Sequence, residues 1–390
     1  MKIITFYLLL IFGTQAAFGT TYRINSEVQL KEVLVKIEPG DKIIIANGNY
    51  TNWNVNVTRS GTAQKPILII AETAGKVIFS GSTTQTIFKF SSAYLQLNGI
   101  TFKACELNKA DGKTGMLVEL NNTNNCLISN CTFEKNIVKT QFMPLLVIAG
   151  NGSNNKVENC IFIGNIDSQD IQVKITKDSC PQLTIITKNT FLDKQKVSWK
   201  NGNGGECVQI GQDPVLLGKV SAKTTVSENR FIRCNGENEV ISNKSSGNQY
   251  LKNYFESNDG ELVMRGGHDC TIDGNIFEGG TGGIRINGSG HIIINNKINN
   301  IKTAIRLMYG MAKGKEEIGF YIAASGCTIK NNTITNANTG ILIGDSKDAD
   351  WTGKFDTKRY PSPVIQNIAP FDNEISGNKI LKTEIPVKGQ

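Results

Sequence analysis

The chain has 390 residues, 39% of them hydrophobic, and a formal net charge of +8. This length allows one large domain or two ordinary ones, and the moderate charge together with many β-branched residues excludes a disordered chain. The positive charge favours an anionic partner. Because no basic run with interleaved aromatic residues is present, we expect no nucleic-acid partner.

Residues 1–19 have the features of a secretory signal peptide. A positive start at Lys2 precedes an apolar run from Ile3 to Phe12, and small residues follow. This run is too short to span a membrane and no later stretch is long enough, so we expect no membrane partner. We predict a periplasmic or secreted mature protein, residues 20–390, that forms a single domain. In that location an acidic polysaccharide is a better anionic partner than nucleic acid.

The sequence contains nine cysteines, which in an exported protein would ordinarily suggest disulfides. Their number is odd, however, and several recur at one position of the repeat described below. Free cysteine is among the residue types most often buried. We therefore predict buried free thiols rather than disulfides.

The first element predicted in the mature chain is a short helix at about residues 27–37. Ser26 followed by Gln29 matches the capping-box pattern, and apolar residues at helical spacing then continue until Pro39. Strand-like sequence follows. A helix at this place would cap the first coil of a solenoid, whose open end would otherwise expose apolar core and an unpaired sheet edge.

A three-residue unit then recurs, formed by Asn or Cys, any residue, and Phe or Ile. The steps between Asn229, Asn253, Asn275 and Asn296 are 24, 22 and 21 residues, which is the length of one coil of a right-handed parallel β-helix. In this all-β fold the apolar residue stacks inward, and the Asn bonds to its copies in neighbouring coils. A β-sandwich with Asn-rich turns is the alternative. The units are Cys131-Thr-Phe133, Cys160-Ile-Phe162, Asn189-Thr-Phe191, Asn229-Arg-Phe231, Asn253-Tyr-Phe255, Asn275-Ile-Phe277, Asn296-Lys-Ile298, Asn332-Thr-Ile334 and Asn378-Lys-Ile380.

Longer steps interrupt this regular part of the chain. Extra residues in a solenoid form loops, often on the binding face. Three segments of this kind are Lys200–Cys207, Arg306–Tyr309 and Trp351–Pro363. We therefore expect irregular loops to flank the regular coils that carry the charged residues described next.

The charged residues of the regular coils suggest a metal site. Glu237 and Glu239 are two residues apart, so on a strand their carboxylates share one face. Two adjacent like charges are costly unless a cation lies between them. Carboxylates with an amide oxygen, such as that of Asn203, suit a hard cation such as calcium. Lys244 follows closely and Arg265 lies about one coil further on; a plain surface ion-pair ladder is the alternative.

An exposed face of a β-helix suits an extended polymer, and these residues suit a polymer of uronic acids. Cleavage by β-elimination requires a neutralised carboxylate, a base for the neighbouring proton and a stabilised leaving oxygen. Lys244, if neutral, is the candidate base. Arg265 is the candidate group at the leaving oxygen, because its guanidinium is not easily deprotonated.

Four further residues are candidates for substrate binding. Arg285 either binds a sugar carboxylate or pairs with an acid on the next coil. His268 and His291 are the only histidines, and packed or hydrogen-bonded roles are their alternative. Tyr309 is the fourth candidate.

Together these motifs resemble polysaccharide lyase family 6, which contains alginate lyases and chondroitinase B. The resemblance implies a right-handed parallel β-helix that eliminates across uronic acid linkages, usually with calcium. It implies Lys244 as base and Arg265 as acid. Glu237, Glu239 and Asn203 would then be calcium ligands, with Glu206 as an added ligand. The motifs are Asn203-Gly-Gly-Glu206, Glu237-x-Glu239-x4-Lys244, Leu262-Val-Met-Arg265-Gly and Gly282-Gly-Ile-Arg-Ile286.

The sequence departs from the family pattern at one position. Many members have His directly after the Arg, whereas here Gly266 and Gly267 precede His268. This puts a role for His268 in question. We also expect this chain to lack the second β-helical domain that some longer members have.

We therefore expect a secreted alginate lyase. Alginate requires only carboxylate neutralisation, whereas dermatan sulfate, the substrate of a chondroitinase B-like enzyme, would also require cationic pockets for sulfate. A pectinase-type hydrolase would need clustered Asp carboxylates, which we do not find. A non-catalytic carbohydrate-binding β-helix would keep the coils but has no need of Lys244 and Arg265 beside two Glu.

Overall fold

A computed structural model describes residues 19–212 and 218–389. The predicted signal peptide, residues 1–19, lies outside the described residues except for Gly19. No helix within the described ranges has the length and hydropathy needed to cross a membrane. The strands follow one another as coils, and each full coil adds one strand to each of three long parallel sheets. This is a right-handed parallel β-helix, as predicted.

The sheets are numbered by the order in which a coil visits them. The first sheet contains Thr21–Ile24, Lys42–Ile45, Ile67–Ala71, Leu95–Asn98, Leu127–Ser129, Lys156–Glu158, Ile185–Thr187, Thr225–Ser227, Gln249–Leu251, Thr271–Asp273, Ile292–Ile294, Thr328–Lys330 and Glu374–Ser376. The second contains Gly48–Tyr50, Val77–Thr83, Thr101–Leu107, Thr132–Glu134, Ile137–Val138, Ile161–Ile163, Thr190–Lys194, Arg230–Cys234, Tyr254–Asn258, Ile276–Gly280, Lys297–Asn299, Thr333–Thr335 and Lys379–Leu381. The third contains Val55–Val57, Thr86–Phe90, Met116–Asn121, Pro144–Ala149, Gln169–Val173, Val208–Ile210, Glu239–Asn243, Glu261–Met264, Gly282–Ile286, Thr303–Met308, Thr339–Asp345 and Ile385–Lys388. Two small antiparallel pairs join Lys109–Ala110 to Lys113–Thr114 and Ala349–Asp350 to Ile365–Gln366.

The helix spans Glu27–Lys36, within one residue of the prediction. The Ser26 hydroxyl accepts a hydrogen bond from the Gln29 backbone N–H at 3.3 Å, and the Gln29 side chain accepts one from the Asn25 N–H. These bonds satisfy N–H groups that a helix start leaves unpaired. Leu30 and Val33 join the apolar core of the first coils. The helix therefore covers apolar core at this end of the β-helix.

Inside the coils, the repeated apolar residue forms a continuous stack of rings. From Phe133 to Phe277, successive phenylalanines lie 4.4–4.9 Å apart between ring centroids and are nearly parallel. This distance equals the spacing of strands in a sheet, about 4.8 Å, because each coil contributes one ring in register. The repeat unit thus has the inward packing predicted for it.

The Asn of each unit forms a second stack, at the corner before the second sheet. The Asn229 side-chain amide donates to the Asn253 side-chain oxygen at 3.0 Å, and Asn253 donates in the same way to Asn275. Each side chain also accepts a bond from the backbone N–H of the preceding copy. These Asn side chains are buried, and their hydrogen bonds replace those that water would otherwise supply.

The cysteines confirm the prediction of free thiols. None of the nine forms a disulfide, and eight are buried. Most lie at corner positions of the coils, where the backbone N–H groups of Cys160, Cys126 and Cys327 donate to side-chain oxygens. Their acceptors are Asn189, Asn155 and Asn373, respectively. Burial raises the pKa of Cys105 and Cys270 to about 12, so these thiols stay protonated and unreactive.

Candidate functional site

Lys244 and Arg265 lie side by side at the ends of neighbouring strands of the third sheet. Asn243 pairs in register with Met264, and each charged residue directly follows one of them. The Arg265 backbone N–H donates to the Asn243 carbonyl at 3.0 Å, so the two residues are one coil apart. Both side chains line one cavity of about 520 Å³. The amine and the guanidinium therefore lie on the same wall.

Three carboxylates converge in the same cavity. One oxygen each from Glu206, Glu237 and Glu239 lies within 4.8 Å of the others, and all three residues are buried. They come from two successive coils, since the strands at Val208 and at Glu239 are neighbours. Asn203 lines the same cavity. The structure thus brings together all four residues predicted as metal ligands.

Two backbone N–H groups hold Glu237 in place. Its Oε2 accepts from the Gly204 N–H at 2.6 Å and from the Gly205 N–H at 3.3 Å. Gly205 must be glycine because a Cβ there would lie 2.6 Å from the backbone of Gly236. The Gly-Gly pair therefore lets the loop approach the next coil closely enough to bind the carboxylate.

Three glutamines that the sequence analysis did not single out hold Glu206. Its Oε1 accepts from Gln209 Nε2 at 2.7 Å and its Oε2 from Gln169 Nε2 at 2.9 Å. Gln172 joins the other two by donating to both of their side-chain oxygens. The network fixes Glu206 in an orientation that keeps it within the carboxylate cluster. A weak sequence signal existed, because Gln172 and Gln209 are paired in register on neighbouring strands.

Burial and mutual repulsion change the ionisation of the carboxylates. Burial, then Glu206 and Glu239, raise the pKa of Glu237 to about 9. Burial also disfavours the charge of Glu239, but Arg285, Arg265 and Lys244 outweigh it and lower its pKa. Without a cation, the cluster therefore avoids a further negative charge by keeping a proton on Glu237, and a bound cation would take the place of that proton.

Lys244 and Arg265 have opposite pKa shifts. Burial lowers the pKa of Lys244, and the nearby positive charge of Arg265 lowers it further. Burial also lowers the pKa of Arg265, but Tyr321 and Glu239 more than offset this, and the net shift is upward. The Arg265 guanidinium lies over the Tyr321 ring, 5.2 Å from its centroid. One group is thus adapted to release its proton and the other to keep its charge.

The donor set suits a hard divalent cation. Glu239 Oε2 is buried and has no hydrogen-bond partner among the described residues. An unpaired buried carboxylate oxygen costs free energy, and a cation bound there would remove that cost. Three carboxylates with the Asn203 amide offer only oxygen ligands, as calcium prefers. Glu206, Glu237, Glu239 and Asn203 are therefore the residues that fit the predicted ion.

Arg285 pairs with an acid, which was one of its two predicted roles. Its Nη2 lies 3.2 Å from Glu239 Oε1. The acid is two coils away rather than one, because the strand Glu261–Met264 lies between them. Arg306 on the following strand binds Glu261 and Asp345 in the same manner. Arg285 therefore orients a carboxylate of the cluster.

The structure places neither histidine in the cavity of Lys244 and Arg265. His291 is fully buried and replaces an Asn in a corner stack: its Nδ1 accepts from the Cys270 N–H at 3.1 Å, and its Nε2 donates to the Asn287 carbonyl. A side chain without exposed surface cannot contact a ligand. His268 is 3% exposed, and it lines a different cavity, beside Gly218 and Lys315. Burial lowers the pKa of each histidine to about 4.

Tyr309 is not among the described residues that line the cavity of Lys244. Its carbonyl accepts hydrogen bonds from Asn287 and Gln366, and its ring packs beside Gly344. The cavity instead contains side chains that were not predicted individually. These are Phe142, Lys174 and Gln212 on one side, and Phe320, Lys354, Phe355, Asp356 and Tyr360 on the other.

A family model describes the chain over most of its length. The model of chondroitinase B matches residues 24–388. The chain belongs to the chondroitinase B family. This confirms the predicted polysaccharide lyase family 6, and the protein is a polysaccharide lyase of that family. No curated protein matches the chain.

Solved structures of family members share its fold. A PL6 family polysaccharide lyase from Pseudopedobacter saltans is 23% identical, with a TM-score of 0.73 over 93% of this chain and 85% of its own. A mannuronic acid specific family 6 lyase from human gut microbiota is 24% identical, with a TM-score of 0.71 over 93% and 82%. A PL6 alginate lyase in complex with a trisaccharide is 21% identical, with a TM-score of 0.71 over 95% and 84%. At these identities the likeness is one of fold.

Proposed function

We propose that this lyase cleaves alginate by calcium-assisted β-elimination, as an exported protein. The observation that carries the proposal is the single cavity that contains Lys244, Arg265 and three converging carboxylates. Those groups match the three requirements of elimination next to a sugar carboxylate. When bound by Glu206, Glu237, Glu239 and Asn203, a calcium ion would supply the positive charge that neutralises that carboxylate.

Lys244 and Arg265 divide the proton chemistry between them. The Lys244 amine, as the neutral base, removes the proton from the carbon beside the carboxylate. The electron pair of that C–H bond forms the new C=C bond while the C–O bond to the leaving sugar breaks. The Arg265 guanidinium donates a hydrogen bond to the leaving oxygen, which then takes a proton from water. The Tyr321 ring packs against this guanidinium, 5.2 Å from its centroid.

Two observations favour alginate over a sulfated uronate polymer. The cavity cations other than Lys244 and Arg265 are Lys174 and Lys354, and neither forms a cluster of the kind a sulfate would need. In addition, similar folds include a mannuronic acid specific lyase and an alginate lyase with a bound trisaccharide. Dermatan sulfate is the second candidate substrate, because the matching family model is that of chondroitinase B.

The proposal is tested by following ultraviolet absorbance of the unsaturated uronate with alginate and, separately, with dermatan sulfate. We expect the absorbance to rise with alginate. A rise with dermatan sulfate alone would show that dermatan sulfate, and not alginate, is the substrate. New reducing ends without absorbance would indicate a hydrolase, and neither signal would indicate a binding protein.

The role of Lys244 is tested with the same assay. In Lys244→Ala we expect the rate to fall by roughly 10³-fold, within the range of general base catalysis, with unchanged thermal unfolding. Lys297→Ala is the control, because Lys297 is exposed on the second sheet, away from the cavity. Full activity in Lys244→Ala would remove this residue as the base.

Export is tested with the natural host. We expect the mature chain to be recovered outside the cytoplasm and to begin near residue 20, as N-terminal sequencing would determine. Recovery of the full-length chain from the cytoplasm would contradict the proposal.

A further inference from the structure

The cavity of Lys244 and Arg265 has two different ends along the β-helix axis. Towards the earlier coils it continues into a second cavity of about 560 Å³, and Phe142, Gln172 and Lys174 line both. Towards the later coils it is bounded by side chains from two long insertions. These insertions follow the strands Thr303–Met308 and Thr339–Asp345 of the third sheet. The groove is therefore continuous on one side of the reacting pair and blocked on the other.

The boundary is formed by a group of five aromatic residues, Phe320, Tyr321, Trp351, Phe355 and Tyr360, called here the aromatic wall. Phe320, Phe355 and Tyr360 line the cavity, and the other two rings pack against them. Phe320 and Phe355 are stacked with centroids 4.0 Å apart, and Trp351 stacks on Phe355 at 5.2 Å. Tyr321 contacts Trp351 at 5.3 Å. Ring contacts between the two insertions thus join them into one packed unit, which also contains Met311.

Hydrogen bonds attach the aromatic wall to the third sheet. Trp351 Nε1–H donates to Gln366 Oε1 at 2.8 Å, and Gln366 Nε2 donates to the Tyr309 carbonyl at 2.7 Å. Gln366 is 2% exposed, so these bonds are protected from water. The Phe320 N–H donates to the Ser362 hydroxyl across the two insertions. A wall fixed in this way is a boundary of the groove rather than a surface loop.

The open side has groups suited to a uronate chain. Lys174, Gly211 and Lys244 occupy successive coils at one register position, as their backbone N–H bonds show. Two coils span about 10 Å, which is comparable with the length of a disaccharide unit. Gly211 has no side chain, so no side chain at this register position lies between the two lysines. The Lys174 side chain is exposed and lines both cavities.

Phe142 stands at the junction of the two cavities. Its ring is 52% exposed although it is large and apolar. Its backbone has φ of 63°, a left-handed conformation that is rare for a bulky residue and often occurs at ligand sites. An exposed ring beside a lysine offers an apolar face to a sugar ring and a cation to its carboxylate.

We propose that the aromatic wall ends the substrate groove, so that the enzyme acts at one end of the polymer and releases short products. On the open side, Lys174 binds the carboxylate of the sugar two units from the reacting bond, and Phe142 packs against the sugar ring. This inference rests on the proposed lyase function and adds to it the mode of attack. It assigns the wall and Lys174 as determinants of product size.

Product size at low conversion tests the wall. Alginate is digested to a few per cent, and the unsaturated products are separated by length while viscosity is followed. We expect di- to tetrasaccharides from the start, with viscosity falling in proportion to absorbance. Rising absorbance with long early products and a rapid loss of viscosity would overturn the wall proposal and leave the lyase function intact. No absorbance on any polyuronate would overturn both.

Variants of the wall provide the second test. In Phe355→Ala and in Tyr360→Ala we expect longer early products, because each change opens the blocked end. Each variant is compared with Lys358→Ala, in an exposed part of the same insertion. If thermal unfolding shows that Phe355→Ala loosens the insertion, Tyr360→Ala decides, since that ring is outside the Phe320–Phe355–Trp351 stack. An unchanged product size in a folded Tyr360→Ala would contradict the proposal.

Chain-length dependence tests Lys174. In Lys174→Ala we expect KM to rise about tenfold for pentasaccharides and polymer but little for trisaccharides, which do not reach this residue. Lys174→Arg should restore most of the affinity because it keeps the charge. Lys297→Ala is again the charge-matched control. An equal rise in KM for all lengths, or none, would exclude Lys174 as a binding site for the distant carboxylate.

Discussion

The Asn corner of the coils and the ends of the third-sheet strands bury polar side chains in opposite ways. Asn253 lies between two copies of itself, and each of its polar atoms has a partner. Glu239 is also buried, yet one of its oxygens has no partner among the described residues, and its neighbours come from several different coils. Where the coils repeat, each buried polar group finds its hydrogen-bond partner in a copy of itself on the next coil. Where the repeat is broken, buried groups retain capacity for a ligand.

The largest expected effect is on the rate, and it concerns the carboxylate cluster at the ends of the third-sheet strands. In Glu239→Gln we expect the calcium-dependent part of the rate to fall at least ~100-fold, because the cluster loses a charge and an anionic ligand oxygen. A bound ion stabilises the folded state by about 2.7 kcal/mol at 100 times its Kd. We therefore also expect the calcium-dependent rise in Tm to disappear in calorimetry. Glu256→Gln, on the second sheet, is the control. A wild-type Tm independent of calcium and chelator would contradict the metal site.

Substitutions in the Asn corner of the coils should lower the free energy of unfolding without changing activity. Asn229→Ala leaves the backbone N–H and the side-chain amide of Asn189 without their acceptor. Each unsatisfied buried group costs about 1–3 kcal/mol, so we expect a loss of about 3 kcal/mol in urea unfolding. Activity per folded molecule should stay unchanged. Asn235→Ala removes a single exposed bond, to Asp259, and should cost under about 1 kcal/mol. Comparable losses in the two variants would mean that the stack adds nothing.

His291 belongs to the repetitive side although its residue type suggests chemistry. It is neutral when buried, with a pKa of about 4 against 6.5 in the unfolded chain. The unfolded state therefore binds the proton first, and stability is complete above pH 6.5 and decreases as the pH falls towards 4. Each pH unit removes about 1.4 kcal/mol, or about 2 kcal/mol between pH 6.5 and 5. Urea unfolding at these pH values should show a shallower dependence of the free energy of unfolding on pH in His291→Asn than in the wild type. Equal slopes would contradict the assignment.

The smallest expected effect concerns Tyr321, whose ring contacts Arg265. A cation–π contact contributes about 0.5–2 kcal/mol, so Tyr321→Leu should lower kcat by about 2- to 30-fold through loss of Arg265 orientation. KM should change little, since Tyr321 does not line the cavity. Tyr321→Phe keeps the ring and should restore kcat. A loss of kcat in Tyr321→Phe equal to that in Tyr321→Leu would exclude the ring contact as its cause.

The sequence was sufficient for features that repeat. The stack from Phe133 to Phe277 follows from a local unit written many times, and the steps of 24, 22 and 21 residues place Lys244 and Arg265 on adjacent coils. The helix start at Ser26 is equally local, because its capping bonds join residues three or four apart. Each of these predictions depended on spacing, which folding into coils preserves.

Features that depend on distant residues were not predictable in the same way. Gln169 reaches Glu206 across 37 residues, and Tyr321 meets Trp351 only because two insertions fold together. The place of His291 in a corner stack was not predicted either, although a signal existed. It lies five residues before Asn296, as Asn373 lies five before Asn378, and this spacing marks a second corner of the coil. The histidine residue type suggested a contact with a ligand. Its position in the coil instead requires an acceptor for the backbone N–H of Cys270.

One coil, with the strand Gly282–Ile286, separates the strand of Arg265 from the strand that leads into the aromatic wall. A coil advances the axis by about 4.8 Å, close to the length of a single sugar. Duplicating those 21 residues, the step from Asn275 to Asn296, would shift the stop by one sugar unit, and it would also separate Tyr321 from Arg265. The number of coils between the reacting pair and the aromatic wall would then set the size of the released fragment. Duplication of a coil would change that size by a whole monosaccharide.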